Sequence, residues 1–170
     1  MNSIRANCTS LKIEISENNT SDLLSIFIED DGDGMSKDFL EKVIDPFTTT
    51  RTTRKVGLGI PLMKANSESC DGMFNIYSEL GKGTNLQSTF KHSHIDRPIM
   101  GDIASVAGML FSSHPEVNIQ FIYNVDNKEF SLSSEEIKQE LGEVSIQEPE
   151  VKIMIESILK TELDEIGAEV

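Results

Sequence analysis

Two groups of residues in the first 90 positions have types and spacing that could do chemistry. One is acidic. Asp30-Asp31-Gly32-Asp33-Gly34 follows directly on an apolar run. Carboxylates in a tight glycine turn at the end of a strand offer hydrogen-bond acceptors or hard metal ligands. The other is basic. Arg51, Arg54, Lys55 and Lys64 fall in the stretch from Pro46 to Lys64, which holds no acid. Gly57-Leu58-Gly59 lies within it and opens a helix, where backbone N–H groups and the helix dipole attract phosphate. A basic, Thr- and Gly-rich island in an acidic chain predicts a local anionic ligand.

The elements that must position these groups follow from hydropathy. Residues 1–8 read as the end of a helix with Ile4 as its apolar contact. Leu11 to Ile15 alternates with period two and predicts a strand; Leu23 to Ile28 is more fully apolar and predicts a more buried one. They form a hairpin across Asn18-Asn19 that runs straight into Asp30. Ser36 caps a short helix to Val43, with Met35 placed to staple onto Leu40. Residues 45–57 have no periodic pattern and predict a mobile loop. Leu58 to Ser69 is a helix that accepts Pro61 in its first turn. Met73 to Ser78 and Asn85 to Phe90 are strands joined by Gly81-Lys82-Gly83.

The second half carries no motif that points to a chemistry. His92 to Pro98 is a linker, Ile103 to Phe111 a helix, and Asn118 to Tyr123 with Glu129 to Leu132 a hairpin. Ser133 and Glu136 form a capping box, and Leu132 can staple onto Ile137. A last helix starts at Pro149 and places Val151, Met154, Ile155, Ile158, Leu159 and Ile166 mostly on one face. His92 and His94 form a spaced pair that reads as a solvated strand end. The whole pattern predicts an α+β fold, a mixed sheet with helices on one face.

Composition narrows the classes. Net charge is −14, and residues 126–170 alone carry 13 acids against 4 bases. That field repels phosphate backbones, so nucleic acid is not an expected partner. No apolar run approaches the roughly 20 residues of a membrane span, and no signal-peptide core is present. Two cysteines, Cys8 and Cys70, do not make a disulfide framework, and a cytoplasmic setting is expected. A calcium loop at Asp30–Gly34 is disfavoured, because the glycines are misplaced and Phe39-Leu40 continues as helix.

Taken in order, Asn2-Ser3-Ile4-Arg5-Ala6-Asn7, the Asp30–Gly34 turn, Asp45-Pro46-Phe47 with Gly57-Leu58-Gly59, and Gly81-Lys82-Gly83-Thr84 resemble the motifs of the GHKL superfamily. That superfamily comprises gyrase, the heat-shock chaperone, histidine kinases and MutL. The resemblance covers residues 2–90 and implies a Bergerat-type ATP-binding fold. It implies that Asp30 accepts a hydrogen bond from the adenine amine, that Gly32 and Gly34 leave room for the base, and that Thr84 shares a water with Asp30. Phe47 resembles the aromatic residue of the kinase F-box. Arg51, Arg54 and Lys55 fall on the ATP lid, near the β- and γ-phosphates, and Gly57, Leu58 and Gly59 open the helix that follows it. Asn2 resembles the Asn that ligates Mg2+. Arg5 matches the basic residue of histidine kinases where MutL has an acid, which tilts the likeness toward kinases.

In the ATPase branches a catalytic Glu stands four residues before the Asn equivalent to Asn2. That position is not in this sequence, so truncation at this motif is expected and no general base can be named. No His-Glu-x-x-Asn phosphoacceptor motif appears. The expected organisation is an ATP-binding domain over residues 1–92 and an acidic α+β extension over 93–170. The expected function is a Mg-ATP-binding, histidine kinase-like domain in signalling, which phosphorylates a separate protein. The alternative is a non-catalytic module in which nucleotide orders the lid and changes what the protein binds.

Overall fold

A computed structural model describes residues 2–44 and 58–169. Six strands form one mixed sheet in the order β3-β4-β2-β1-β5-β6. The elements in chain order are α1 (Asn2–Arg5), β1 (Ser10–Asn18), β2 (Leu23–Asp30), α2 (Lys37–Ile44), α3 (Gly59–Ser69), β3 (Phe74–Glu79) and β4 (Gly83–Lys91). Then come α4 (Ile103–Ser113), β5 (Asn118–Val125), β6 (Lys128–Ser133), α5 (Ser134–Leu141) and α6 (Pro149–Ile166).

Strand alternation sorts the two faces of the sheet. On β1, Leu11 and Ile15 are buried. Their cross-strand partners on β5 are Ile119 and Tyr123, also buried. Asp30 on β2 pairs with Leu11 and thus shares this inner face. The intervening Lys12 and Glu14 pair with each other at 2.9 Å on the outer face, where Tyr77 is 63% exposed. The helices pack on the inner face, and α4 and α6 contribute Phe111, Ile155, Leu159 and Leu163 to one continuous core with β1 and β5.

The expected elements are present: β2, β4, α4, β5 and β6 are longer by two or three residues and β1 by four, whereas β3 keeps its length and α1 and α3 are shorter. Ser36 caps α2 by accepting the Phe39 N–H at 3.3 Å. The Ser133–Glu136 capping box is complete. Residues 118–125 do more than form a hairpin. They run parallel to β1 from Ser10–Asn118 to Glu17–Val125, so the second half of the chain extends the sheet of the first.

One expectation about packing needs correction. The buried stripe of α6 is Val151, Ile155, Leu159 and Leu163. Met154 and Ile158 are 45% and 42% exposed. The helix packs along one i, i+4 ridge, and residues one position before each ridge member fall at its rim.

The two hairpin turns are tied together. Asp126 occupies the left-handed region at φ 51°. Its carboxylate accepts from the Asn19 N–H at 2.8 Å and from Asn19 Nδ2 at 3.0 Å. Those bonds hold its carboxyl below the usual aspartate range.

Candidate functional site

The site begins with the register of β2 and β4. Asp30, the last residue of β2, stands directly opposite Thr84, the second of β4. Asp30 is buried, and its Oδ1 accepts the Gly32 N–H at 3.1 Å. One carboxylate oxygen is therefore used to shape the turn, and the other is available at the end of the sheet.

The glycine motifs interlock sterically. A Cβ on Gly34, at φ +64°, would lie 2.0 Å from the Glu79 carbonyl oxygen. A Cβ on Gly83, at φ +88°, would lie 1.9 Å from the Asp30 carbonyl oxygen. At Gly32 it would meet the Ala6 carbonyl oxygen at 2.6 Å. No side chain fits in these places, so the Asp30 turn seats on the Gly81–Gly83 turn on one side and on the end of α1 on the other.

Polar side chains complete the seat. Ser78 accepts the Met35 N–H at 2.8 Å, donates to the Gly83 carbonyl at 2.9 Å, and lies 2.9 Å from the Thr84 hydroxyl. A single buried hydroxyl thus links the residue after the acidic turn to the residue opposite Asp30. Asp33 accepts from Asn7 Nδ2 at 2.8 Å, and its amide donates to the Ala6 carbonyl at 2.7 Å. Asp31 takes the Thr9 hydroxyl and the Thr9 and Ser10 amides. Burial works to raise Asp31, but those hydrogen bonds outweigh it and hold its carboxyl low. Cys8 lies beside them. Burial first, and then the carboxylates of Asp30 and Asp31, push its thiol up.

Sequence reasoning treated Asp31 and Asp33 as part of a turn and did not single out Ser78. The three carboxylates look alike in sequence, and only the fold gives each a different partner. Ser78 carries no local signal, because its partners lie 43 and 5–6 positions away.

The remaining expected residues fall in three places. Asn2 and Arg5 are exposed on the one-turn α1, whose following residues, Ala6 and Asn7, touch the Asp33 loop. Leu58 and Gly59 begin α3 with no side-chain cap. Leu62 makes the first helical bond, to the Leu58 carbonyl at 3.0 Å, and Pro61 brings no N–H. A Cβ at Gly59 would meet nothing within 4 Å, so packing among the described residues does not demand glycine there. Phe47, Arg51, Arg54, Lys55 and Gly57 lie outside the described residues.

Comparison with known proteins places the first half of the chain in a family. Residues 1–94 match the family model "Histidine kinase-, DNA gyrase B-, and HSP90-like ATPase". The "Non-motile and phage-resistance protein" of Caulobacter vibrioides is 28% identical over 106 residues, which are 59% of this chain and 13% of that protein. "Sensor protein SrrB" of Staphylococcus aureus (strain NCTC 8325 / PS 47) is 35% identical over 79 residues, 44% of this chain and 13% of that protein. This chain therefore spans only a small part of the length of these relatives. Among solved structures, the "N terminal domain of a DNA repair protein" has a TM-score of 0.51 at 15% identity, covering 78% of this chain and 49% of that one. That likeness concerns the fold.

Proposed function

We propose a function from a premise of family: the chain belongs to the histidine kinase-, DNA gyrase B- and HSP90-like ATPases, whose model spans its first 94 residues. In this reading residues 1–92 bind ATP and residues 93–170 form an extension that responds to it. Asp30 accepts a hydrogen bond from the exocyclic amine of adenine, which guanine lacks at that place. Thr84, opposite it, supports the same edge of the base. Leu58 and Gly59, with Gly57, present the start of α3 to the phosphates, and Arg5, Arg51, Arg54 and Lys55 neutralise them. Phe47 serves as the aromatic residue of the kinase F-box.

The observation that supports the reading most is the pairing of Asp30 with Thr84 in a turn that three glycines and Ser78 hold rigid. Such preorganisation serves recognition of one flat ligand edge. Asn2, with an amide oxygen on α1, is the residue placed to hold Mg2+, a hard cation that takes oxygen ligands. When bound, the ion neutralises phosphate charge. The γ-phosphate is transferred to a separate protein partner, in signalling within the cytoplasm. Among the described residues no helix is long and apolar enough to cross a membrane.

The alternative is a nucleotide-gated interaction module without transfer. The β2–β1–β5 ladder favours it, because the strand bearing Asp30 and a strand of the extension flank the same β1. Ordering at one end could thus be felt in the other half. Adding radiolabelled ATP with candidate partners separates the two: label on the partner supports transfer, and ATP-dependent partner binding without label supports the module.

The first test is titration calorimetry with Mg-ATP. We expect binding tighter than about 1 mM, roughly −4 kcal/mol, and its loss in Asp30→Asn. That variant keeps an oxygen for the Gly32 N–H and turns an NH2 donor toward the amine donor of adenine. A folded chain that fails to bind, or equal binding by the variant, would sink the assignment.

A further inference from the structure

A second cluster lies at the far end of β1 from Asp30. Glu17, the eighth residue of β1, faces the inner side of the sheet with its side chain only 3% exposed. Its Oε1 accepts from the Tyr123 hydroxyl and from the Glu169 amide at 2.9 Å. Burial first, and then Glu17 itself, push the Tyr123 phenol far up, so it remains a donor. Oε2 of Glu17 faces His92 Nε2 at 3.5 Å, and Glu169 Oε2 lies 3.3 Å from the same nitrogen. Arg97, its side chain 8% exposed, pairs with the same Oε2 of Glu169, and its Nε donates to the His92 carbonyl at 2.6 Å.

Two features of this cluster are unresolved by the protein's own groups. His92 Nε2 is buried and has no hydrogen-bond partner among the described residues, although two carboxylate oxygens are close. A neutral or charged imidazole forming a hydrogen bond would aim its N–H at one of them, at about 2.7–3.0 Å. The second feature is charge. Two carboxylates meet one guanidinium, and one of the carboxylates is buried, which is costly without compensation. Asp22 and Asp126 lie near His92 and add to the negative field.

We propose that Glu17, His92 and Glu169 are the protein ligands of a zinc-class divalent cation. The ligand atoms lie within 4.8 Å of one another. A tetrahedral ion with bonds of about 2.0–2.1 Å separates its ligands by about 3.3–3.4 Å, close to the two distances seen at His92 Nε2. One imidazole nitrogen with two carboxylate oxygens suits Zn2+ over Mg2+ or Ca2+, which prefer all-oxygen sets. Tyr123, the Glu169 amide and Arg97 orient the two carboxylates from outside, as such ligands require. His94 takes no part, since its Nδ1 accepts the Asp96 amide at 3.2 Å. Of the spaced histidine pair only His92 enters the cluster, and it is not a solvated strand end. Bound metal would fasten the linker after β4 and the last residues of the chain to β1.

The proposal is independent of nucleotide binding and is tested without nucleotide. Metal-free protein is titrated with Zn2+ by calorimetry and with Co2+ by visible absorption. We expect one ion per chain, the intense d–d bands of tetrahedral Co2+, and no displacement by excess Mg2+. His92→Gln and Glu169→Gln are each expected to weaken binding by more than about 100-fold, beyond the roughly 10–100-fold of losing an outer partner. Glu169 is 54% exposed at its side chain, so that variant should fold normally, which circular dichroism checks. Failure of the folded chain to bind would overturn the proposal. Equal binding by both variants would overturn it as well, assigning the ions to the acidic surface.

Discussion

The two halves of this protein are held together by different physics. In the first, the Asp30 turn is seated by backbone: carbonyl oxygens lie where Cβ atoms would be, and short hydroxyls and carboxylates fill the gaps. In the second, large apolar side chains do the work. Among the described residues, fifteen of the twenty-three buried apolar side chains lie after residue 100. A site that grips a flat ligand needs fixed backbone and tolerates no added methyl. A packed layer needs volume and accepts reshaping. The sheet joins them, so the half with the chemistry leans on the half with the core.

The most severe way to break this contrast is to cut it. A fragment ending after His92 would lose β5, β6 and most of the core, and would expose the β5-pairing edge of β1. We expect it to aggregate or to melt without a cooperative transition, followed by circular dichroism against temperature. A fragment that folds and binds ATP would instead make residues 1–92 a separable module.

Next come single residues on either side. Leu159→Ala, at a fully buried position in α6, is expected to cost about 2–5 kcal/mol in urea unfolding, whereas Leu159→Met costs less than about 1.5. Affinity for ATP, measured where both remain folded, should change little. Gly83→Ala reverses that signature. The added methyl meets the Asp30 carbonyl oxygen, and the φ is left-handed, so the two turns must part. We expect ATP affinity to fall by at least about tenfold, roughly 1.4 kcal/mol. Similar losses of affinity from Leu159→Ala and Gly83→Ala would erase the distinction between halves.

Ser78→Ala is a milder probe. It leaves the Met35 amide without its acceptor, at about 1–3 kcal/mol for a buried unmet donor. It also frees the Thr84 hydroxyl. The expected readout is weaker ATP binding together with that loss of global stability, and Ser78→Thr should restore part of both. The smallest effect concerns pH. Asp31, Asp22 and Asp126 have carboxyls held below the usual range. Their contribution is present above the unfolded aspartate value of about 3.9 and is lost as pH falls through their lower folded values. Stability should therefore decline only below about pH 4 on their account. A loss already complete at pH 5 would need another group.

Much of this could be read from the chain because it is local. The Ser133–Glu136 capping box, the glycine turns and the strand alternation are set within a few residues of one another. The parallel pairing of β5 with β1 could not be read, because hydropathy fixes which face a strand buries and not which neighbour it takes. Hydropathy puts Met154 on the apolar face of α6 and passes over the buried Leu163, because both fit a helical stripe and only the neighbouring layer decides. Glu17 lies beyond the Leu11 to Ile15 stretch whose alternation is legible, so nothing local marks it for burial. Its burial depends on Tyr123 and Glu169, more than a hundred positions away.

That same ladder has a consequence for how the chain acquires its shape. Ser10 pairs with Asn118 and Glu17 with Val125, so β1 must wait for about a hundred further residues before its second edge is closed. Contacts of such long range are slow to form, because loop closure precedes any reward. During synthesis the β1–β2 hairpin emerges early with an apolar face and an unpaired edge, the kind of species that aggregates. Yield of the native protein should then depend on how fast, and how sheltered, the last third is delivered.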